Sequence, residues 1–255
     1  MSANRLEMNS YKTDFIWLGS RQQLAKIQCH SIWSAHLCFT IVTCLWVQFD
    51  SQLTFTPHIQ CLARHSFHHL RQLRRVRKSL TTYSAKTLVH AFTAGRLDYC
   101  NSVQYQINTN ALKTLQSVLH LATQLILQKW KFDHITPTLR DDLQWLPVLQ
   151  RITYKLCTIV YKCLHQSAPQ YLQELCMPVT NSASRRHLHS AARGDLQVLA
   201  TRTVTYGPAC APKLWNSLLT TVRHSTLTMI QFCSRLKTHL FGLPYGSASW
   251  LFRLL

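Results

Sequence analysis

Between Arg96 and Leu175 the chain repeats apolar residues at helical spacing three times, and each repeat carries its own start or stop signal. Leu112, Leu115, Leu119, Ala122 and Ile126 recur at three and four residues, with Asn110 placed to cap that helix. Thr136 followed by Pro137 reads as an N-cap and first-turn pair for a short second helix, which Trp145 and Leu146 close. Pro147 then opens a third helix. Its stripe is Leu149, Ile152, Leu156, Ile159, Cys163 and Leu164, with Arg151, Lys155 and Lys162 off it. Three amphipathic helices joined by short corners must bury those faces on one another, so the expected fold is mainly α, a helical bundle. A small, degenerate β portion at the N-terminus and a short hairpin near 195–206 complete the expectation.

The flanks are read the same way. FIWLG at 15–19 predicts a buried strand ending at Gly19. Ile32 to Phe49 carries no Lys, Arg, Asp or Glu, and its 18 residues reach the lower limit of a membrane span, about 17 to 25 residues. Its aromatic and β-branched content fits buried strands equally well, and both readings stay open. Pro57 opens a long helix through Lys78, and Thr82 to Ala94 reads as another, with Leu88, Ala91 and Phe92 inward and Gly95 as its stop. Residues 181–194 are a polar, basic loop. Ala211 to Leu219 is helical, and Ser225 or Thr226 caps a last helix with Ile230, Cys233, Leu236 and Leu240 on one face.

Charge narrows the function. There are 28 Lys and Arg against 9 Asp and Glu, a formal net charge of +19 that favours polyanions as partners. The imbalance is concentrated: between Asp50 and Asp98 lie eight Lys or Arg and no acid. Arg64, His68, Arg71, Arg75 and Lys78 are spaced four, three, four and three apart, which places them on one stripe of the long helix at about 100° per residue. Ile59, Leu62, Leu70, Leu73 and Val76 fall opposite. Solvated helix faces usually mix signs, and a single-sign stripe suits phosphate. The residues expected to touch nucleic acid are Arg64, Arg71, Arg74, Arg75, Arg77 and Lys78. Ten cysteines without a CxxC pair or a secretory leader read as reduced, intracellular thiols, in nucleus or cytoplasm.

RLDYCNS at 96–102, LQSV at 115–118, KFDHITPTLR at 131–140, LQWLPV at 143–148, RITYKL at 151–156, YKCLH at 161–165 and APQYLQEL at 168–175 together resemble a known family. They are similar to the C-terminal third of reverse transcriptases from LINE-type, non-long-terminal-repeat retrotransposons of the Jockey-like group. APKLWNSL at 211–218 and LKTHLF at 236–241 look like the closing motifs of that family, and NRLEMNSYKTDFIWLG at 4–19 like the segment after its catalytic aspartates. The resemblance runs in collinear order over roughly residues 2 to 241. It implies a remnant of the polymerase palm over 1–56, a thumb-like helical region over 57–178, a basic loop or hairpin over 179–210, and C-terminal helices over 211–241. The tail, 242–255, lies outside it. The family's thumb lies along the template–primer duplex, so the resemblance implies RNA, DNA or their hybrid as partner and no small-molecule substrate. Three departures stand out: Trp46 and Gln166 occupy positions where the family has glycine, and Leu219 replaces a proline.

The polymerase reaction needs divalent cations on converging carboxylates. The resemblance places the family's catalytic pair before the region matching Asn4, where this chain begins too late to include it. The nine acids are Glu7, Asp14, Asp50, Asp98, Asp133, Asp141, Asp142, Glu174 and Asp195, and the only adjacent pair, Asp141-Asp142, reads as surface acids at a helix end. Asp98 is expected to make local hydrogen bonds near a helix end. No catalytic residue, metal ligand or cofactor is therefore assigned. Cys61, His65 and His68 share a helical neighbourhood but read as a core thiol beside solvated histidines. The expectation is a catalytically incompetent polymerase remnant that keeps a sequence-tolerant grip on nucleic acid. A decayed reading frame without function, or a basic protein held to membrane by residues 32–49, are the alternatives.

Overall fold

The computed structural model describes residues 9, 13–26, 39–105, 107–130, 132–181, 193–198 and 210–245. The chain is mainly α, and among the described residues two strands form one small antiparallel sheet. In order these are α1 (Arg21–Leu24), β1 (Ile41–Cys44), β2 (Val47–Asp50), α2 (Thr56–Val76), α3 (Thr82–Val89), α4 (Gly95–Asp98), α5 (Thr109–Leu127), α6 (Ile135–Asp141), α7 (Val148–Leu164), α8 (Gln170–Gln173), α9 (Cys210–Asn216) and α10 (Met229–Tyr245).

Two apolar cores divide these elements. The first joins β2, α2, α3, α5, α6 and the start of α7, around Ile59, Val89, Leu115, Leu119, Ile126 and Ile152. The second joins the rest of α7 to α9 and α10, around Val160, Trp215, Phe232, Leu236 and Leu240. α7 belongs to both. Leu115, Leu119 and Ile126 are fully buried, each contributing about 1.5–3 kcal/mol by burial. Truncating Leu119 to Ala removes packing from the centre of the first core and costs about 2–5 kcal/mol.

Local chemistry moved several boundaries. The N-cap of α5 is Asn108, whose Oδ1 accepts from the Ala111 amide at 2.7 Å, rather than Asn110, which lies inside the helix. α6 begins at Ile135 and ends at Asp141, short of Trp145, while Pro147 does cap α7. Leu149 is left 45% exposed at the edge of the α7 stripe. Gly95 does not stop the helix after Thr82. A wide π-type turn, His90–Ala94, inserts there, the Gly95 amide donates back to the His90 carbonyl, and helix resumes to Asp98. That insertion rotates the face, so Thr93 and Ala94 are buried and Phe92 points outward, 42% exposed. α10 starts behind Thr228, not Ser225 or Thr226. The Gln231 amide donates to Thr228 Oγ1, and Gln231 Oε1 accepts from the Thr228 amide. Phe232, Leu236, Leu240 and Phe241 form its buried face, and Ile230 is exposed.

The apolar stretch from Ile32 to Phe49 is partly resolved into strands: β1 and β2 pair Ile41 with Asp50, Val42 with Phe49, Thr43 with Gln48 and Cys44 with Val47. Residues 32–38 lie outside the described residues. Among the described residues no helix is long and apolar enough to cross a membrane. The two-residue turn is Leu45-Trp46, both at positive φ (47° and 68°), as a hairpin turn matching strand twist requires. FIWLG is not a buried strand. Phe15, Trp17 and Leu18 are exposed, and the Phe15 carbonyl accepts from the Phe39 amide. Most of the hairpin expected at 195–206 also lies outside the described residues. Within them, Leu196 bridges Pro178, and Asn216 grips its backbone at both Leu196 N and Leu196 O, 2.8 and 2.9 Å. The Trp-Asn pair of the APKLWNSL motif thus has a structural use, since Trp215 is buried beside Phe232.

Candidate nucleic-acid interface

α2 is held from its first turn. Asp50 Oδ2 accepts from the Thr54 amide and hydroxyl, both at 3.0 Å, and Oδ1 accepts from the Phe55 amide at 2.8 Å. Phe55 sits at φ 56° just before the helix, and Pro57 occupies its first turn. His58, Ile59, Leu62, Ala63, Ser66 and Leu70 are buried against the first core. The opposite face carries Arg64, His68, Arg71, Arg74 and Arg75, all exposed, and Lys78 follows exposed on the short 3₁₀ turn Arg77–Ser79. Among the described residues the ion pairs are Arg140–Asp141, Arg151–Asp98, Arg193–Asp195 and Arg223–Asp195. None involves the cations of α2. Like charges one turn apart on a helix cost only about 0.2–0.5 kcal/mol per pair, so the face persists without a ligand yet attracts an anion.

Arg77 departs from the expectation. It is 7% exposed and its guanidinium is fully engaged inside the fold. Nε donates to the Leu125 carbonyl at 2.8 Å, Nη2 to the Ile126 carbonyl at 2.6 Å, and Nη1 to the Leu80 carbonyl at 2.7 Å. Leu125 and Ile126 end α5, where carbonyls have no helical partner and the helix dipole favours a cation. Arg77 is thus the C-terminal clamp of α5 and is withdrawn from the exposed basic face. At about 100° per residue its position falls on the Ile59–Ser66–Leu70 side of α2, not on the stripe.

The structure adds neighbours that the stripe alone did not reveal. His69 stacks on Phe92 with ring centroids 5.5 Å apart, and His68 meets His69 edge-on at 5.7 Å. Burial first, then the nearby Arg96, His68 and His65, lower His69 from the usual histidine value. The π-turn therefore sets Arg96 and an exposed aromatic ring beside the basic face, a pairing suited to phosphate plus sugar or base contact. The one sequence signal for Arg96 is its membership of the acid-free run.

Cys61 Sγ lies 3.5 Å from His65 Nδ1, while His68 turns to His69. Among the described residues no three His, Cys, Asp or Glu side chains converge as a metal site. The Mg²⁺ that the resemblance implies would need several converging oxygens. The carboxylates are instead engaged one at a time: Asp50 at the start of α2, Asp98 with Arg151, Asp133 on the Trp130 amide, and Asp195 with Arg193 and Arg223. Asp98 reaches 53 residues along the chain to Arg151 Nη1 at 2.8 Å, rather than bonding locally. Asp141 is taken by both Nε and Nη2 of Arg140, at 3.0 and 3.2 Å. The Asp141-Asp142 pair does not fit the metal, and no step is drawn through it. Against family models, curated proteins and solved structures, the chain finds no match in any of the three.

Proposed function

We propose that this chain binds nucleic acid through the basic face of α2 and Arg96, and that these 255 residues carry no polymerase chemistry. The observation that carries the reading is the exposed row Arg64, Arg71, Arg74, Arg75 and Lys78, with no ion-pair partner among the described residues. Its origin as a remnant of a LINE-type reverse transcriptase rests on the motifs quoted above. Two backbone positions support the kinship. Trp46 and Gln166, where that family has glycine, stand at φ 68° and 54°, the left-handed region that glycine serves. Cys44, Cys61, Cys100, Cys157, Cys163, Cys176 and Cys233 are free thiols, which supports a reducing compartment, nucleus or cytoplasm.

A helix that meets phosphates with arginine and lysine reads shape and charge, not base sequence. Binding of an RNA–DNA hybrid, followed by fluorescence anisotropy over a salt series, should weaken steeply with salt and vary little with sequence. Reversing Arg71 and Arg75 to Glu should lower the salt slope by about one unit per lost phosphate contact. Unchanged binding by that variant refutes the reading. Extension of a primer by the purified chain refutes the absence of polymerase chemistry.

A further inference from the structure

Beside the arginine stripe of α2 runs a second band, made of histidine. At about 100° per residue, His65, His68 and His69 fall next to Arg64, Arg71 and Arg75, on the flank where Arg96 approaches. His65 and His68 are exposed, and His69 is partly exposed. Residues three and four apart on a helix stand about 5–6 Å apart at Cβ, so the three form one cluster. The His68 and His69 rings meet at 5.7 Å, His69 stacks on Phe92 at 5.5 Å, and His65 Nδ1 lies 3.5 Å from Cys61 Sγ. Every group that acts on His69 by charge is a cation when protonated: Arg96, His68 and His65. The carboxylates of the neighbouring elements are engaged elsewhere. Asp50 of β2 holds the Thr54 and Phe55 amides, and Asp98 of α4 pairs with Arg151. The other nearby imidazoles are placed apart from the cluster, His120 of α5 on Gln116 and His90 in a cleft with Lys155 and Lys237. Among the described residues no acid pairs with any of the three histidines.

In the free chain such a cluster resists protonation, because each added charge meets cations and no acid. An arriving polyanion reverses that balance. Its phosphate oxygens attract the imidazolium, whose two ring nitrogens both donate once protonated. We infer that His65, His68 and His69 form a proton-coupled phosphate site, so that nucleic acid binds this face with uptake of protons and is held more tightly as pH falls. The inference rests on the reading of α2 as the nucleic-acid interface and adds its regulation. Linkage fixes the sign: a complex that holds more protons than its free parts gains affinity on acidification, and the gain levels off once the free chain is protonated too. A rise of about one pKa unit at a single ring on binding is worth about tenfold in affinity.

Fluorescence anisotropy of the full chain with an RNA–DNA hybrid lacking terminal phosphates, at one fixed salt concentration, tests it. Phosphodiesters keep their charge over the range used, so protons taken up belong to the chain. Affinity should rise by about tenfold or more between about pH 8 and about pH 6. Calorimetry at about pH 6.5, in two buffers of different ionisation enthalpy, should count a net uptake of about one proton or more per chain. The triple variant His65→Gln, His68→Gln, His69→Gln should flatten the profile, its loss against the parent being largest at about pH 6 and shrinking toward about pH 8. His69 packs on Phe92, so the exposed pair His65→Gln with His68→Gln is made as well. With its fold verified by circular dichroism, the pair should lose part of the pH slope. A level affinity across the range, no proton uptake, or a pair or triple variant as steep as the parent overturns the proton-coupled site and leaves salt-sensitive binding by α2 standing. Absence of hybrid binding at every pH overturns both.

Discussion

Replacing Arg77 by Met should destabilise the fold without touching the proposed nucleic-acid interface. The guanidinium makes three hydrogen bonds to carbonyls, two of them on the last turn of α5, whose oxygens have no other described partner. A hydrogen bond from a charged donor contributes about 1.5–3 kcal/mol, and a cation in a partly buried helix C-terminus up to about 2 kcal/mol more. These terms overlap, and a longer apolar chain keeps some packing. A net loss of about 3–5 kcal/mol follows, the size seen when one partner of a buried charged contact is removed. Stability of a domain is about 5–15 kcal/mol in all. With a urea slope of about 2 kcal/mol per molar, the midpoint measured by circular dichroism should fall by about 2 M. Arg77→Lys should recover only part of this, since an ammonium cannot reproduce the planar fork that spans Leu125 and Ile126. In a salt series of hybrid binding the Arg77→Met slope should match the parent, whereas Arg71→Met should lose about one unit. A midpoint shift under about 0.5 M, or a lowered salt slope at Arg77, refutes the assignment of this residue as a clamp.

Trp46→Gly and Gln166→Gly should each stabilise by about 1 kcal/mol, and additively, because both relieve left-handed backbone in different parts of the fold. Gln166 follows α7, with its amide on the Cys163 carbonyl and the Ser167 amide on the Lys162 carbonyl at 2.9 Å, a helix end that favours glycine. Matched urea curves check both, and a loss at either site contradicts the backbone reading. Stability should also fall as pH drops below the ordinary histidine value of 6.5, because burial lowers His58, His120 and His239 in the folded chain. The unfolded chain then binds more protons, so the loss is absent above that value and grows below it. Thermal melts between about pH 7.5 and 5.5 test the sign, and a flat or rising midpoint on acidification contradicts it. Burial raises Cys157 and Cys176 to about 12, so a disulfide reagent at mild alkaline pH should label exposed Cys44 and spare those two until urea is added. Rapid labelling of all three by the folded chain counts against the second core as packed here.

Much of the helical layout is legible in residue order because helix signals are local. The stripes of α2, α5 and α7 recur every three or four residues, and Pro147 marks its boundary by missing a donor. Errors cluster where a local rule has close competitors or where backbone departs from it. Asn108 and Asn110 are both capping residues two positions apart, and only the path of the chain out of Ile107 chooses between them. The π-turn at His90–Ala94 shifts the register of everything after it, which turned Phe92 outward and carried Gly95 into helix. Leu45-Trp46 forms a tight turn without the expected glycine, because strand pairing and the burial of Val47 against the first core outweigh the local strain.

Residue order by itself determined a mainly helical chain and a basic face on α2, since both are properties of neighbours within one or two turns. The tertiary structure decided which cations are free to meet a ligand. Arg77 is drawn inward by carbonyls 48 and 49 residues away, and Arg151 by a carboxylate 53 residues back. It also brought Arg96 of α4 beside His69 of α2. Such partners leave no periodic trace, because a buried charge is defined by what packs over it and not by what precedes it.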